Sequence, residues 1–293
     1  MVLPIVVGVD GSEPSLRAVD WAADEAALHG APLRLVYASL WERYEGESLA
    51  DDIGKPSEQV RAEDIVRAAA ERARLRQAGI GISTDVLPEE PEHALVREGH
   101  GACALVLGTS GRSGLVDMLL GSVSLTVAAY ADCPVIVVRP GDDNRVRADA
   151  RGRVVVGVGE HGPDSAALRF AVREARLRHA TLDAVRAWQC PAHESTDHPL
   201  LAGEPARLHE RHAAEILELA LKETPAQTDL HRRTVEGPAR RVLLDASREA
   251  DLLVVGARRV PGHLGLRLGR VAHTVLHRSA CAVAVVPEGA ERA

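Results

Sequence analysis

Val154-Val155-Val156-Gly157-Val158 repeats Ile5-Val6-Val7-Gly8-Val9, and three later segments repeat in the same order. Leu168-Arg169-Phe170-Ala171 answers Val19-Asp20-Trp21-Ala22. Asp251-Leu252-Leu253-Val254-Val255-Gly256 answers Cys103-Ala104-Leu105-Val106-Leu107-Gly108, and Cys281-Ala282-Val283-Ala284-Val285-Val286 answers Cys133-Pro134-Val135-Ile136-Val137-Val138, both at an offset of 148 residues (108 to 256, 133 to 281). Solenoid repeats have periods of ~20–50 residues. A period this long is the duplication of a whole domain, and 293 residues hold two domains of the usual ~100–200. The expected division is residues 1–141, a charged Gly-Asp-Asp-Asn linker over 142–151, and a second domain over 152–288.

Within the first copy, short apolar runs alternate with helical spacing. Val2–Val9 is valine-rich and ends in Asp10-Gly11-Ser12, a turn and helix-start signal. Ser15–His29 carries Leu16, Val19, Ala22, Ala23, Ala26 and Ala27 at helical spacing, and Gly30 and Pro32 stop it. The pattern then predicts strand Leu33–Ser39, helix Glu58–Gln77, strand Ile82–Leu87, helix Glu92–Arg97, strand Cys103–Leu107, helix Ser122–Ala131 and strand Pro134–Val138. Strict alternation of strands and helices predicts an α/β fold with a parallel sheet and helices on both faces. Apolar strands without polar alternation suit burial on both sides.

One loop stands out. After the strand ending at Leu107 the chain reads Gly108-x2-Gly111-x9-Gly121-Ser122, and a helix follows. Glycines allow positive φ and close backbone approach. The N–H groups of the helix start, together with its dipole, favour an anion. The only two lysines, Lys55 and Lys222, lie far from this loop in sequence, so the Gly-Lys-Ser/Thr of a P-loop is missing. A net charge of −7 argues against nucleic acid as a partner. Apolar runs stay well short of the ~18–20 residues of a membrane span, and the N-terminus lacks a basic leader, so no membrane association and a cytoplasmic setting are expected.

Two tandem copies, the Val-Gly-Val-Asp-Gly-Ser opening, the full glycine spacing and the Cys-Pro-Val-Ile-Val-Val ending resemble a tandem universal stress protein over nearly the whole chain. The resemblance implies two tandem doubly wound domains, each a five-stranded parallel sheet flanked by helices. It also implies packing of the two halves as an internal pseudo-dimer, with further pairing of chains. Matched to the family's ATP-binding members, Asp10 contacts adenosine and the Ala38 backbone contacts adenine. Leu107 and Gly108 lie beside the base, and Gly111, Gly121, Ser122 and Val123 hold ribose and phosphates. The implied ligand is ATP, with Mg²⁺ left open, and the implied role is a stress-response or regulatory module with an unspecified protein partner. A slow ATPase or nucleotidyl-transfer enzyme and a ligand-free dimerisation scaffold are the rival readings. Asp10 itself has two: cap of the following helix or, with Ser12 in that role, ligand contact.

The second copy departs from this pattern. Gly159 stands where Asp10 stands, Arg259 replaces the second loop glycine, and Arg270 replaces Ser122. A bulky side chain at 259 predicts weak or absent ATP binding there, against the alternative that Arg258, Arg259, Arg267 and Arg270 hold an anion directly. Cys190, His193, His198, His209 and His212 lack a compact zinc-finger spacing and are expected to be solvated. Cys103 and Cys281 are expected to be packed thiols. Neither a Gly-x-Ser-x-Gly elbow nor a His-Glu-x-x-His helix is present, and no catalytic residue is predicted.

Overall fold

The computed structural model describes residues 2–40, 57–109, 120–142, 144, 152–160, 165–190, 204–258 and 268–288. Contacts divide the chain into two units, Met1–Arg145 and Val146–Ala293. In the first, β1 (Ile5–Gly8), α1 (Glu13–His29), β2 (Leu33–Ala38), α2 (Ser57–Arg76), β3 (Ile82–Leu87), α3 (Pro91–Gly99), β4 (Ala104–Gly108), α4 (Ser122–Tyr130) and β5 (Val135–Val138) follow one another. The strands lie in the order β3-β2-β1-β4-β5, all parallel, with Ile5 opposite both Leu33 and Ala104. The chain therefore runs outward from β1 through β2 to β3, then returns to the other side of β1 for β4 and β5. That reversal leaves a crevice at the carboxyl ends of β1 and β4, where such sheets bind ligands.

The second unit repeats the plan. It contains β6 (Arg153–Gly157), α5 (Ala166–Leu177), β7 (Thr181–Trp188), α6 (Glu204–Leu221), β8 (Leu230–Glu236), α7 (Ala239–Ala246), a 3₁₀ turn (Ser247–Glu249), β9 (Leu252–Arg258), α8 (Arg270–Arg278) and β10 (Ala282–Glu288). Its parallel order is β8-β7-β6-β9-β10. The α/β class and the doubly wound parallel sheets match the reading of the sequence.

β4 and β5 are buried along their whole length, as apolar runs covered on both faces must be. β3 and β8 close the edges and are largely half-exposed or exposed. The first strand is shorter than the apolar run at its start suggests. Val2 and Leu3 precede the sheet and are 60% and 44% exposed, because pairing with β2 begins only at Ile5. α1 ends as expected: Gly30 takes φ +58° and its N–H reaches back to the carbonyls of Ala26 and Ala27. Asn144, inside the expected linker, is buried against α1. Its Nδ2 donates to the Trp21 carbonyl (3.1 Å) and to Glu25 Oε2 (2.9 Å).

α1 is fastened to α2 by charge. Arg72 donates twice to Asp20 (2.8 and 2.6 Å), and Arg76 grips Asp24 with its shortest bond at 2.6 Å. Gln77 Nε2 adds a third donor to Asp24 at 2.8 Å. Among the described residues, no helix is long and apolar enough to cross a membrane.

Candidate functional site

The crevice of the first unit is a cavity of about 360 Å³. It is lined by Asp10, Ala38, Leu107, Gly108, Gly121, Ser122 and Val123, and also by Gly8, Val9, Ser15, Val36, Pro91, Leu95 and Ser124. Seven of the eight residues singled out from the sequence thus meet around one space; the eighth, Gly111, lies outside the described residues. The volume is at the lower end of the ~300–1,000 Å³ of small-molecule sites.

Each wall has a local cause. β1 ends at Gly8, and Gly11 at φ +81° turns the chain into α1. Ser12 is the N-cap of α1 and accepts from Ser15 N at 3.4 Å. Asp10 supports this cap: its Oδ1 accepts from Ser12 N (2.9 Å) and from Ser12 Oγ (2.6 Å). Ser12 caps the helix, and the Asp10 carboxylate is fixed at the cavity wall by bonding to that cap.

On the opposite wall, Gly121 is the N-cap of α4 at φ −67°, and no side chain caps this helix. Among the described residues, the first N–H groups of α4 have no intrahelical or side-chain cap acceptor, and Ser122 and Val123, at the positive end of the helix dipole, line the cavity. Two bonds hold α4 to the end of β4: Gly121 N donates to the Thr109 carbonyl (2.6 Å), and Ser124 Oγ donates to the Gly108 carbonyl (2.7 Å). Ser122 Oγ donates to Glu92 Oε1 at 3.3 Å, a partner that the motif spacing did not point to. Between these walls, Val9, Val36, Leu95 and Leu107 form an apolar slot beside Ala38 at the end of β2.

Gly108, which lines the cavity, is also constrained by packing. A Cβ there would stand 2.6 Å from the Pro14 carbonyl oxygen and 2.7 Å from its carbonyl carbon. The space that a side chain needs is taken by the first turn of α1.

The second unit has the corresponding crevice, about 240 Å³, lined in part by Gly157, Val158, Gly159, Ala187, Gly256 and Val271. Its character is different. β9 and β10 stay paired as far as Arg258 and Glu288, whereas β4 and β5 pair only to Gly108 and Val138. This extension carries Glu288 over the start of α5. The Glu288 carboxylate accepts from Ser165 Oγ (2.7 Å), Ala166 N (2.9 Å) and Ala167 N (3.3 Å). It also sits 2.7 Å from where a Gly256 Cβ would be. The protein's own carboxylate thus holds the helix start, and Arg186 and Arg258 line the same space. Arg259 and Arg267 lie outside the described residues. No loop motif signals Glu288; only the longer apolar run ending in Pro287-Glu288 hints at it.

This arrangement makes Glu288→Ala a test of the cap. It is expected to destabilise α5 by about 1–2 kcal/mol, the range of a lost N-cap acceptor with its dipole contribution. Faster hydrogen exchange confined to the second unit checks it, and unchanged exchange in α5 refutes it.

The remaining candidates fall elsewhere. His209 and His212 lie on α6, His212 4.0 Å from Glu215, while His193 and His198 lie outside the described residues. Cys133 and Cys281 are buried thiols, and Cys103 and Cys190 are half-buried.

A sequence profile of the universal stress protein family matches residues 1–139 and 150–287. A universal stress protein of Mycobacterium tuberculosis is 29% identical over 315 residues, spanning 98% of this chain and 97% of its own length. One from Mycolicibacterium smegmatis is 30% identical over 305 residues, spanning 96% of each. The crystal structure of a universal stress protein from Archaeoglobus fulgidus has the same fold, with a TM-score of 0.66 at 18% identity over 98% of both chains.

Proposed function

The chain belongs to the universal stress protein family, and from that premise we propose that its first domain holds an adenine nucleotide, ATP in the fullest form of the reading. The protein then acts as a stress-response or regulatory module and not as a catalyst. The observation that carries this reading is the cavity between the uncapped start of α4 and the carboxyl ends of β1 and β4. The apolar slot at Val36, Leu95 and Leu107 suits a purine, with the Ala38 backbone at its edge. Asp10, held by Ser12, is an acceptor for ribose hydroxyls. The N–H groups of Ser122 and Val123 suit phosphate oxygens.

The non-catalytic role has its own support. Asp10 is the only ionisable side chain among the described lining residues, and its Oδ1 is engaged by Ser12. Hydrolysis of ATP needs a group that positions water and cations that take up developing charge. The proposed division is a nucleotide domain over 1–141, a linker over 142–151 and a second domain over 152–288 with a degenerate loop, whose crevice wall carries Glu288, Arg186 and Arg258. The proposed setting is the cytoplasm, with the two domains paired and chains able to pair further.

Mass spectrometry of small molecules released by denaturing natively purified protein, followed by calorimetric titration with ATP, tests the reading. One adenine nucleotide per chain and no phosphate release over hours is the expected result. Two equivalents would refute a single nucleotide site, steady turnover would refute the non-catalytic role, and no binding at saturating ATP would refute the whole reading.

A further inference from the structure

We propose that Glu92 is a charge filter on the first cavity, selecting nucleotides by the charge of their phosphate tail: a monophosphate binds without metal, whereas a triphosphate needs a divalent cation to bind tightly. This inference rests on the nucleotide reading above and names the ligand state that the same site accepts.

Glu92 is the second residue of α3, next to Pro91 of the cavity wall, and its Oε1 accepts a hydrogen bond from Ser122 Oγ at 3.3 Å. Ser122 opens α4, so one hydroxyl separates the carboxylate from the place where helix N–H groups receive a phosphate. Two costs follow for an incoming anion. A serine hydroxyl has a single proton, and while Glu92 accepts it, Ser122 presents only lone pairs to a phosphate oxygen. The carboxylate also offsets the partial positive charge of the α4 start, equivalent to about half an elementary charge. Among the described lining residues there is no lysine, arginine or histidine to counter either effect. Both costs grow with the charge of the tail. A divalent cation on the tail reduces that charge, and the oxygen donors at this corner, carboxylate and hydroxyl, are of the kind Mg²⁺ accepts.

The duplication supplies an internal comparison. At the 148-residue offset, Glu92 corresponds to Arg240, the second residue of α7, and Ser122 corresponds to Arg270, the first residue of α8. The acid and its hydroxyl partner are thus both arginines in the second copy, so the charge at this corner differs between the two crevices.

Calorimetric dissociation constants for AMP, ADP and ATP, in EDTA and in MgCl₂, for the full chain and for Glu92→Gln, test the proposal. In EDTA the unaltered protein is expected to bind AMP more tightly than ATP. Glu92→Gln is expected to tighten ATP by about tenfold and AMP by about two- to threefold, with the difference shrinking at high salt and in MgCl₂. In a Ser122→Ala background the gain from Glu92→Gln should fall, because part of it is the returned serine proton. If nucleotides bind but Glu92→Gln leaves the ATP-to-AMP ratio unchanged in EDTA, the filter is refuted and the nucleotide reading stands. If neither protein binds any of the three while both melt at the same temperature, the nucleotide reading fails and the filter with it.

Discussion

Gly108→Val is expected to cost about 3 kcal/mol of stability and to abolish nucleotide binding. The new side chain would begin 2.6 Å from the Pro14 carbonyl oxygen and 2.9 Å from its Cβ, so its obstacle is the backbone of α1. Overpacking a tight contact typically costs about 1–3 kcal/mol, and here a helix must move rather than a rotamer. Moving the start of α1 also moves Ser12 and with it the Asp10 carboxylate, which explains the loss of binding. Two comparisons isolate the cause. At Gly8 a Cβ would meet the ends of Leu107 (2.7 Å) and Leu95 (3.1 Å), and at Gly256 the end of Glu288. Flexible side chains can give way, so Gly8→Ala and Gly256→Ala should lower the melting temperature less than Gly108→Ala. Equal losses at all three positions would refute the assignment of Gly108 to helix packing.

The second large effect is Arg76→Ala, expected to destabilise the first unit by about 3–5 kcal/mol, the range for leaving a buried charge without its partner. The Asp24 side chain is only 4% exposed and the Arg76 side chain 14%. Without Arg76, Asp24 keeps the bond from Gln77, a neutral donor, in a setting that water barely reaches. The cost is one of stranding a carboxylate, so Asp24→Leu combined with Arg76→Leu should recover most of the loss. Arg72→Ala should cost much less, because Arg72 is 38% exposed and solvent screens its pair with Asp20. The hydrogen bond to Asp20 raises the pKa of Arg72 against the opposing effect of burial. A raised guanidinium pKa contributes stability in full below its unfolded value, lost only as pH rises through the folded one, so no loss from this group is expected near neutrality. Hydrogen exchange resolved to α1 and α2 reads all these variants, and an Arg76→Ala protein with unchanged protection would overturn the account.

The same clamp shows how far duplicated copies can diverge on one fold. At the 148- to 149-residue offset, Asp20 and Asp24 correspond to Arg169 and Arg173, while Arg72 and Arg76 correspond to Ala220 and Thr224. The ion pairs of the first unit therefore have no counterpart at these positions in the second, where α5 and the end of α6 border an open groove lined by Arg169, Arg173 and Glu223. The alternation of strands and helices survives such changes because it rests on buried valines and alanines, not on the charges between helices.

By itself the sequence determined the class, the order of elements and the duplication, because these depend on local periodicity and on runs of residues that only a doubly covered parallel strand accommodates. Ile82–Leu87 and the helix starting at Ser122 could be read directly, whereas Asp10, Ala38 and Leu107 were pointed to by the family resemblance and are brought to one cavity by the sheet. Contacts between distant segments were decided only by the tertiary structure. Gly108 packs against Pro14, Glu92 accepts a hydrogen bond from Ser122, and Glu288 reaches the start of α5 from a strand end more than 120 residues later. None of these pairs has a periodic signature, since each exists only once the parallel sheet has brought strand ends and helix starts to the same edge.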